Sequence, residues 1–112
     1  MKVSACKYIE LAEKADDETA IYSSISLMLK NESVQAIIQM DKGVLSFLFR
    51  DLMESRGIHW RMAVINIILA DNDLSRVEIP DEFRGKVREM QRLYIEYGKR
   101  HGWIWQIGGS II

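Results

Sequence analysis

Apolar residues recur every three or four positions along most of the chain, which is the spacing of amphipathic α-helices rather than the alternation of β-strands. The first such pattern covers residues 3–15 and ends at the acidic residues 16–18. Aspartate is a good N-cap, and acids complement the positive end of the helix dipole, so these acids predict the start of a second helix that runs to about Lys30. The apolar stripe of this second helix consists of Ile21, Ile25, Met28 and Leu29.

The central pattern, residues 33–56, divides at Gly43 into two short helices. A short connection favours antiparallel neighbours, so the pair is predicted to form an αα-hairpin. The next pattern, residues 59–70, is apolar nearly all round, as is typical of a buried helix. We therefore expect one all-α domain, residues 1–112, of about five or six antiparallel helices with these two units at its centre.

Pro80 and Asp81 predict the start of the last helix, because proline is favoured in the first helical turn. Gly102 follows the cationic residues 99–101, and a glycine at that place can adopt the left-handed conformation that ends a helix. Trp103 comes next and is predicted to pack back on the helix that the chain has just left.

The chain contains IIQMDKGVLSFLFRDL, HWRMAVINII, PDEFRGKVREM and YIEYGKRHGW, and together these stretches resemble a group of small bacterial all-helical proteins of unknown function. The resemblance covers about residues 33–103. The hairpin Val34–Leu52 is also similar to a HEAT-type repeat, which implies stacked antiparallel helix pairs. The resemblance implies no activity. Its motifs mark five candidate structural residues, His59, Trp60, Gly85, Gly98 and Gly102.

Composition places the chain among ordinary globular domains, since 48% of its 112 residues are apolar and 28% are charged. Cys6 is the only cysteine, which excludes an intramolecular disulfide and favours a reducing compartment. The first residues lack the apolar run of a signal peptide, and no stretch approaches the roughly 20 apolar residues of a membrane span. We therefore expect a cytoplasmic protein with no membrane partner.

Candidate catalytic and metal-binding patterns are weak. The acids of the stretch DNDLSRVEIPDE have EF-hand spacing, but Arg76 stands where that loop needs glycine, so the stretch predicts a polar connector. His59 beside Trp60 could be a base with a stacking platform, yet no nucleophile or triad can be placed around it. The pair more simply predicts a histidine near a helix start and a tryptophan in the core. We expect no enzyme, no cofactor and no metal.

Positive charge is concentrated in residues 84–112, which carry six Lys or Arg against two acids. Arg84, Arg88 and Arg92 recur at four-residue spacing, so one face of the last helix could hold phosphates or an acidic protein surface. This face supports an alternative function, that of a nucleic-acid-associated or regulatory protein.

The segment GWIWQIGGSII, in which residues 104–112 form an apolar C-terminal extension of the domain, carries more apolar surface than a free segment should expose to water. It could cover the protein's own helices, or it could pack on a second copy or on another protein. In the second case Trp103, Trp105 and Ile107 are the candidate anchors, because aromatic residues dominate interface energetics. A non-enzymatic protein-interaction module, with a protein partner or a homo-oligomer, is therefore the first functional expectation.

Overall fold

Six α-helices make up most of the computed structural model, which describes residues 5–22, 24–54 and 58–104. Two short 3-10 helices, Asp41–Val44 and Asp81–Phe83, accompany them. No strand occurs within these ranges, so the prediction of an all-α fold with five or six helices is confirmed. None of the helices described is long and apolar enough to cross a lipid bilayer. The α-helices are α1 (Ala5–Thr19), α2 (Ile25–Leu29), α3 (Glu32–Gln39), α4 (Leu45–Met53), α5 (Ile58–Asp71) and α6 (Val87–Arg100).

Helix α5 is the central helix, as predicted from the apolar residues that cover nearly all of its faces. It packs against α2, α3, α4 and α6. Val64, Ile65, Ile68 and Leu69 are fully buried on it. Burial of each such side chain contributes about 1.5–3 kcal/mol, so the middle of α5 is a main source of stability.

Helices α4 and α5 form an antiparallel pair. Asp51 contacts Arg61 near one end of the pair, and Asp41 accepts a hydrogen bond from Asn72 at the other end. The expected hairpin of α3 with α4 differs from the structure, because α3 packs mainly against α1 while α4 packs against α5 and α6. The 3-10 helix Asp41–Val44, which begins at a positive φ of 63°, redirects the chain between α3 and α4.

The acids at residues 16–18 do not open a second helix. They lie in the last turns of α1, where Asp16 binds Arg61 of α5 and this contact stabilises the longer helix. The second helix is reduced to α2, and Ile21 lies outside it with 83% of its surface exposed. Asn31, which follows α2 by two residues, caps the next helix, since its side chain accepts hydrogen bonds from the backbone N–H groups of Ser33 and Val34.

Helix α6 begins at Val87, so the prediction that Pro80 starts it is wrong. Pro80 precedes a single 3-10 turn, and Gly85, at a φ of 84°, then interrupts the helical backbone. The end of α6 is as predicted. Gly102 has a φ of 81°, and the Trp103 N–H donates to the Gly98 carbonyl at 2.8 Å, which is the bond of a Schellman motif. Trp103 is half-buried against the core, which confirms the predicted packing.

Candidate functional site

A buried arginine on α5 joins three helices. The Arg61 side chain is only 2% exposed. Its two terminal nitrogens donate to the two oxygens of Asp16 on α1 at 2.8 and 3.1 Å, and its Nε donates to Asp51 on α4 at 2.9 Å. A buried guanidinium is stable only when its donors are paired in this way, so the three residues fix α1, α4 and α5 to one another.

Two aromatic residues complete this cluster. The Trp60 indole N–H donates to Asp16 at 2.9 Å, and the guanidinium carbon of Arg61 lies 4.4 Å from the centre of the Trp60 ring. The Tyr8 hydroxyl donates to Asp51 at 2.6 Å. We call these five residues, Tyr8, Asp16, Asp51, Trp60 and Arg61, the arginine cluster.

Electrostatics hold the protonation states of Arg61 and Tyr8 within the arginine cluster. Burial opposes the charge of Arg61, but its hydrogen bonds and the negative charge of Asp16 outweigh burial and hold the pKa of Arg61 above its ordinary value. Burial also raises the pKa of Tyr8 far above its ordinary value, although the charge of Arg61 opposes this shift. Arg61 therefore stays charged and Tyr8 stays a hydrogen-bond donor.

An open groove of about 580 Å³ lies beside the arginine cluster, between the end of α1, helix α2 with the residues before it, and the start of α5. Trp60 and Asp16 belong to both the cluster and the groove. Large apolar side chains are exposed next to the groove residues along the chain, with Ile21 83% and Leu27 47% exposed. We call this site the α1–α2 groove. Its lining consists of Asp16, Thr19, Ala20, Tyr22, Met28, His59 and Trp60.

A second cavity of about 340 Å³ meets the α1–α2 groove at His59, which lines both. It lies between α5 and α6, and its other lining residues are Ile25, Met62, Ala63, Gly85, Val87, Met90 and Tyr94. A third, more polar pocket of about 640 Å³ shares Gly85 and Met90 with the second and includes Arg76 and Arg84. The recessed surface therefore follows one side of α5.

His59 and Trp60 lie at the start of α5 as the sequence indicates. Trp60 is buried at 2% exposure, which confirms its expected place in the core. His59 is exposed and lines both of the first two recesses.

The predicted arginine face is not continuous. Arg84 lies before α6, in the connection that Gly85 interrupts, and pairs with Asp81 at 3.1 Å. Arg92 donates to Glu89 and Glu96, both at 3.0 Å, and these hydrogen bonds raise the pKa of Arg92. Arg88 is on the same helix, 3.5 Å from the Gln91 side chain. Arg84 is therefore not part of the helix face that the spacing predicts, while Arg88 and Arg92 remain on α6.

Gly98 and Ile104 define how the chain leaves α6. A methyl group added at Gly98 would lie 2.8 Å from a ring carbon of Phe49 and 2.9 Å from the Ile104 Cδ1 atom. Ile104 is buried at 8% exposure, so the first residue of the apolar extension covers the protein's own core. Trp105 and Ile107, two of the predicted partner anchors, lie outside the described residues.

The connection from α5 to α6 is held by hydrogen bonds to helix side chains. Asn66 accepts from the Val77 N–H at 2.9 Å and donates to the Tyr94 hydroxyl at 2.7 Å, while the Tyr97 hydroxyl donates to the Ser75 carbonyl.

In the ranges that the structure covers, no group of three or more His, Cys, Asp or Glu is placed to hold a metal ion.

Sequence reasoning missed Arg61, Asp51 and Asn66. The signal was present in HWRMAVINIILA, where a charged residue and an amide interrupt a helix that is otherwise apolar. A buried charge requires partners, but nothing in the spacing of the sequence identifies carboxylates 10 and 45 residues away as those partners.

Comparison of the chain with protein-family models, curated proteins and solved structures found no match. The resemblance to small bacterial HEAT-like proteins therefore stays a prediction.

Proposed function

We propose that this chain is a non-enzymatic protein-interaction module that holds a segment of a partner in the α1–α2 groove. The observation that carries the proposal is the apolar surface at this site. The exposed apolar surface comes from Tyr22, which is 37% exposed, and from the half-buried Met28, while Trp60 lines the groove with only 2% of its surface exposed. Ile21 is 83% exposed next to the groove along the chain. Free protein surfaces seldom keep large apolar side chains together in water, and such patches commonly mark binding sites.

Rigidity of the groove wall supports the proposal. The arginine cluster fixes Trp60 through its indole hydrogen bond to Asp16, and Asp16 is itself held by two bonds from Arg61. A site whose wall is already ordered loses little conformational entropy when a partner binds.

The polar groups of the groove favour binding over catalysis. Asp16 already accepts hydrogen bonds from Arg61 and Trp60, so its carboxylate is committed to the fold. A general base needs a carboxylate or imidazole placed against a second reactive group. Among the described groove residues the only carboxylate beside His59 is that of Asp16, which is engaged by Arg61 and Trp60.

Charge indicates what kind of partner would bind. Asp16 lines the groove, and Asp17 and Glu18 lie between Asp16 and the groove residue Thr19 along the chain, in the last turn of α1, where the negative end of the helix dipole adds to their charge. A partner segment with one or two large apolar anchors and flanking Lys or Arg residues fits this surface. In this proposal the protein acts in the cytoplasm, where the lone Cys6 stays reduced, and the HEAT-like resemblance agrees with binding on stacked helices.

Selection from a random peptide-display library against the full chain tests the proposal. The matched comparison is Tyr22→Glu, which alters a half-exposed groove residue, with Leu74→Ser, which alters an exposed apolar residue on the α5–α6 connection. Selected peptides should carry aromatic or aliphatic anchors beside basic residues, and should bind the unmodified chain and the Leu74→Ser variant alike.

The Tyr22→Glu variant should bind these peptides at least about 10-fold more weakly, which is the loss typical of a central interface residue. Circular dichroism of both variants checks that the fold is kept. Selection of no peptide, or of peptides that bind Tyr22→Glu as tightly as the unmodified chain, contradicts the proposal.

The nucleic-acid alternative has less support. Arg92 is engaged by two glutamates, and Arg84 lies outside α6, so fewer cations face one direction than the sequence indicates. Titration with duplex DNA and with RNA at several salt concentrations tests it, because binding through phosphates weakens steeply as salt rises. Binding that is steeply salt-dependent and is lost in an Arg88→Ala variant would favour this alternative.

A further inference from the structure

The apolar segment Trp105–Ile112 and the α1–α2 groove have complementary chemistry. The segment contains one tryptophan and three isoleucines and no charged residue, and it follows the cations Lys99 and Arg100 closely along the chain. The groove has an aromatic and methionine lining that includes Asp16, and the acids Asp17 and Glu18 follow Asp16 directly along α1. Apolar anchors preceded by positive charge are the features that this groove selects.

We infer that the α1–α2 groove binds residues 105–112 of a second copy of this chain, with Trp105 as the anchor. This inference rests on the proposed function, because it takes the same groove and names its occupant. In this arrangement Lys99 and Arg100 of one copy lie close to the acids at the end of α1 of the other.

The structure favours a second copy over the same copy because of the position of Ile104. Helix α6 runs beside α5 in the same direction, since Val87 shares a cavity with His59 and Tyr94 bonds Asn66 further along. Gly98 lies eleven residues beyond Val87, or about 16 Å along the helix axis. Ile104 is packed on Gly98 and is therefore at the end of α5 opposite the groove.

Trp105 cannot move far from that end. Consecutive Cα atoms are about 3.8 Å apart, so a tryptophan that directly follows the buried Ile104 stays close to it. That step is shorter than the roughly 16 Å of helix between Gly98 and Val87, which shares a cavity with His59 of the groove, whereas a second copy can present its groove next to Trp105. The donated segment and the receiving groove are different surfaces, so a single contact between two copies is heterologous. If two copies exchange their segments reciprocally, the result is a symmetric, closed dimer.

Sedimentation equilibrium of the full chain over a wide concentration range tests the inference. The unmodified chain should form dimers or larger assemblies. A groove variant, Tyr22→Glu, and a segment variant, Trp105→Ser with Ile107→Ser, should each raise the dissociation constant at least about 10-fold. Leu74→Ser, which leaves both surfaces intact, should associate like the unmodified chain.

Mixing the two defective variants provides the decisive result. The groove variant still carries an intact segment and the segment variant an intact groove, so the mixture should form one-to-one complexes that neither variant forms alone. Because one contact links the two chains, these complexes should stop at dimers.

A chain that is monomeric at every concentration overturns the inference, as does self-association that Tyr22→Glu leaves unchanged or a mixture that stays monomeric. The proposed function fails separately. If display peptides bind the groove while the full chain is monomeric, the module stands and its partner is another protein; if no peptide binds the groove, the module itself is contradicted.

Discussion

Asp16 and Asp17 are neighbours in the sequence, but their carboxylates have different roles. Asp16 accepts three hydrogen bonds, two from Arg61 and one from Trp60. Asp17 is exposed and forms no ion pair with any described residue. Comparing the effect of replacing Asp16 with the effect of replacing Asp17 therefore measures what the arginine cluster contributes to stability.

We expect Asp16→Ala to lower the free energy of unfolding by about 2–4 kcal/mol, because it leaves the buried Arg61 with one carboxylate in place of two. The expected loss is below that for a fully buried pair, since the Asp16 side chain is 35% exposed. The control, Asp17→Ala, should change stability by no more than about 0.5 kcal/mol. Urea denaturation measures both, and equal effects of the two substitutions would contradict a specific role for the cluster.

At the scale of the element, α6 depends on one position where no side chain fits. Gly98 lies in a helix interior, where alanine is normally more stable than glycine by about 1 kcal/mol. Here the added methyl group would lie 2.8 Å from the ring of Phe49, which is fully buried and cannot move aside without disturbing the core.

Gly98→Ala should therefore destabilise the protein by about 1–2 kcal/mol, because the cost of overpacking exceeds the gain in helix propensity. Thermal unfolding measures the effect. The second contact is with Ile104, so an Ile104→Val background, which removes its Cδ1 atom, should reduce the loss caused by Gly98→Ala. A stabilising effect of Gly98→Ala in the unmodified chain would show that the close approach does not constrain α6.

The elements also show what the sequence can predict. The centre and the end of the fold were predictable, because the apolar circumference of α5 and the glycine after α6 are local signals. The end of α1 was not, because a helix that ends in acids is unfavourable by local rules and is stabilised here by Arg61 from a distant helix.

The start of α6 and the candidate site likewise show the difference between signals that are local in the sequence and contacts that form only in the fold. Pro80 is compatible with a helix start, but the backbone conformation of Gly85 places that start at Val87. The α1–α2 groove combines residues from three helices, and no periodicity along the chain brings Tyr22 and Met28 beside Trp60. Patterns that are local in sequence predict elements, whereas contacts between elements decide the site.

At the scale of the whole molecule, buried tyrosines connect the helices and set the response of stability to alkaline pH. Tyr8, Tyr94 and Tyr97 each donate or accept a hydrogen bond that ties two parts of the fold together. Burial raises the pKa of all three, because the ionised phenolate is unfavourable in the interior. All three are therefore protonated in the folded protein at pH values where the unfolded chain begins to ionise.

Tyr94 gives this response a defined range. Burial raises its pKa from 10.0 to about 12, although the hydrogen bond from Asn66 opposes the shift. Below pH 10 the phenol is protonated in both states, so its contribution to stability is constant. Between pH 10 and 12 the unfolded state releases a proton that the folded state retains, so the free energy of unfolding should fall by about 1.4 kcal/mol per pH unit from this group.

Urea denaturation of the unmodified chain and of Tyr94→Phe at pH values from 8 to 12 isolates this contribution. At pH 8 the variant should be less stable by about 1 kcal/mol, because Asn66 loses a hydrogen-bond partner. Above pH 10 the stability of the variant should fall less steeply, so the two curves converge and can cross. Parallel curves through this range would show that Tyr94 ionises alike in the folded and unfolded states, and that its burial does not control the alkaline limit of the fold.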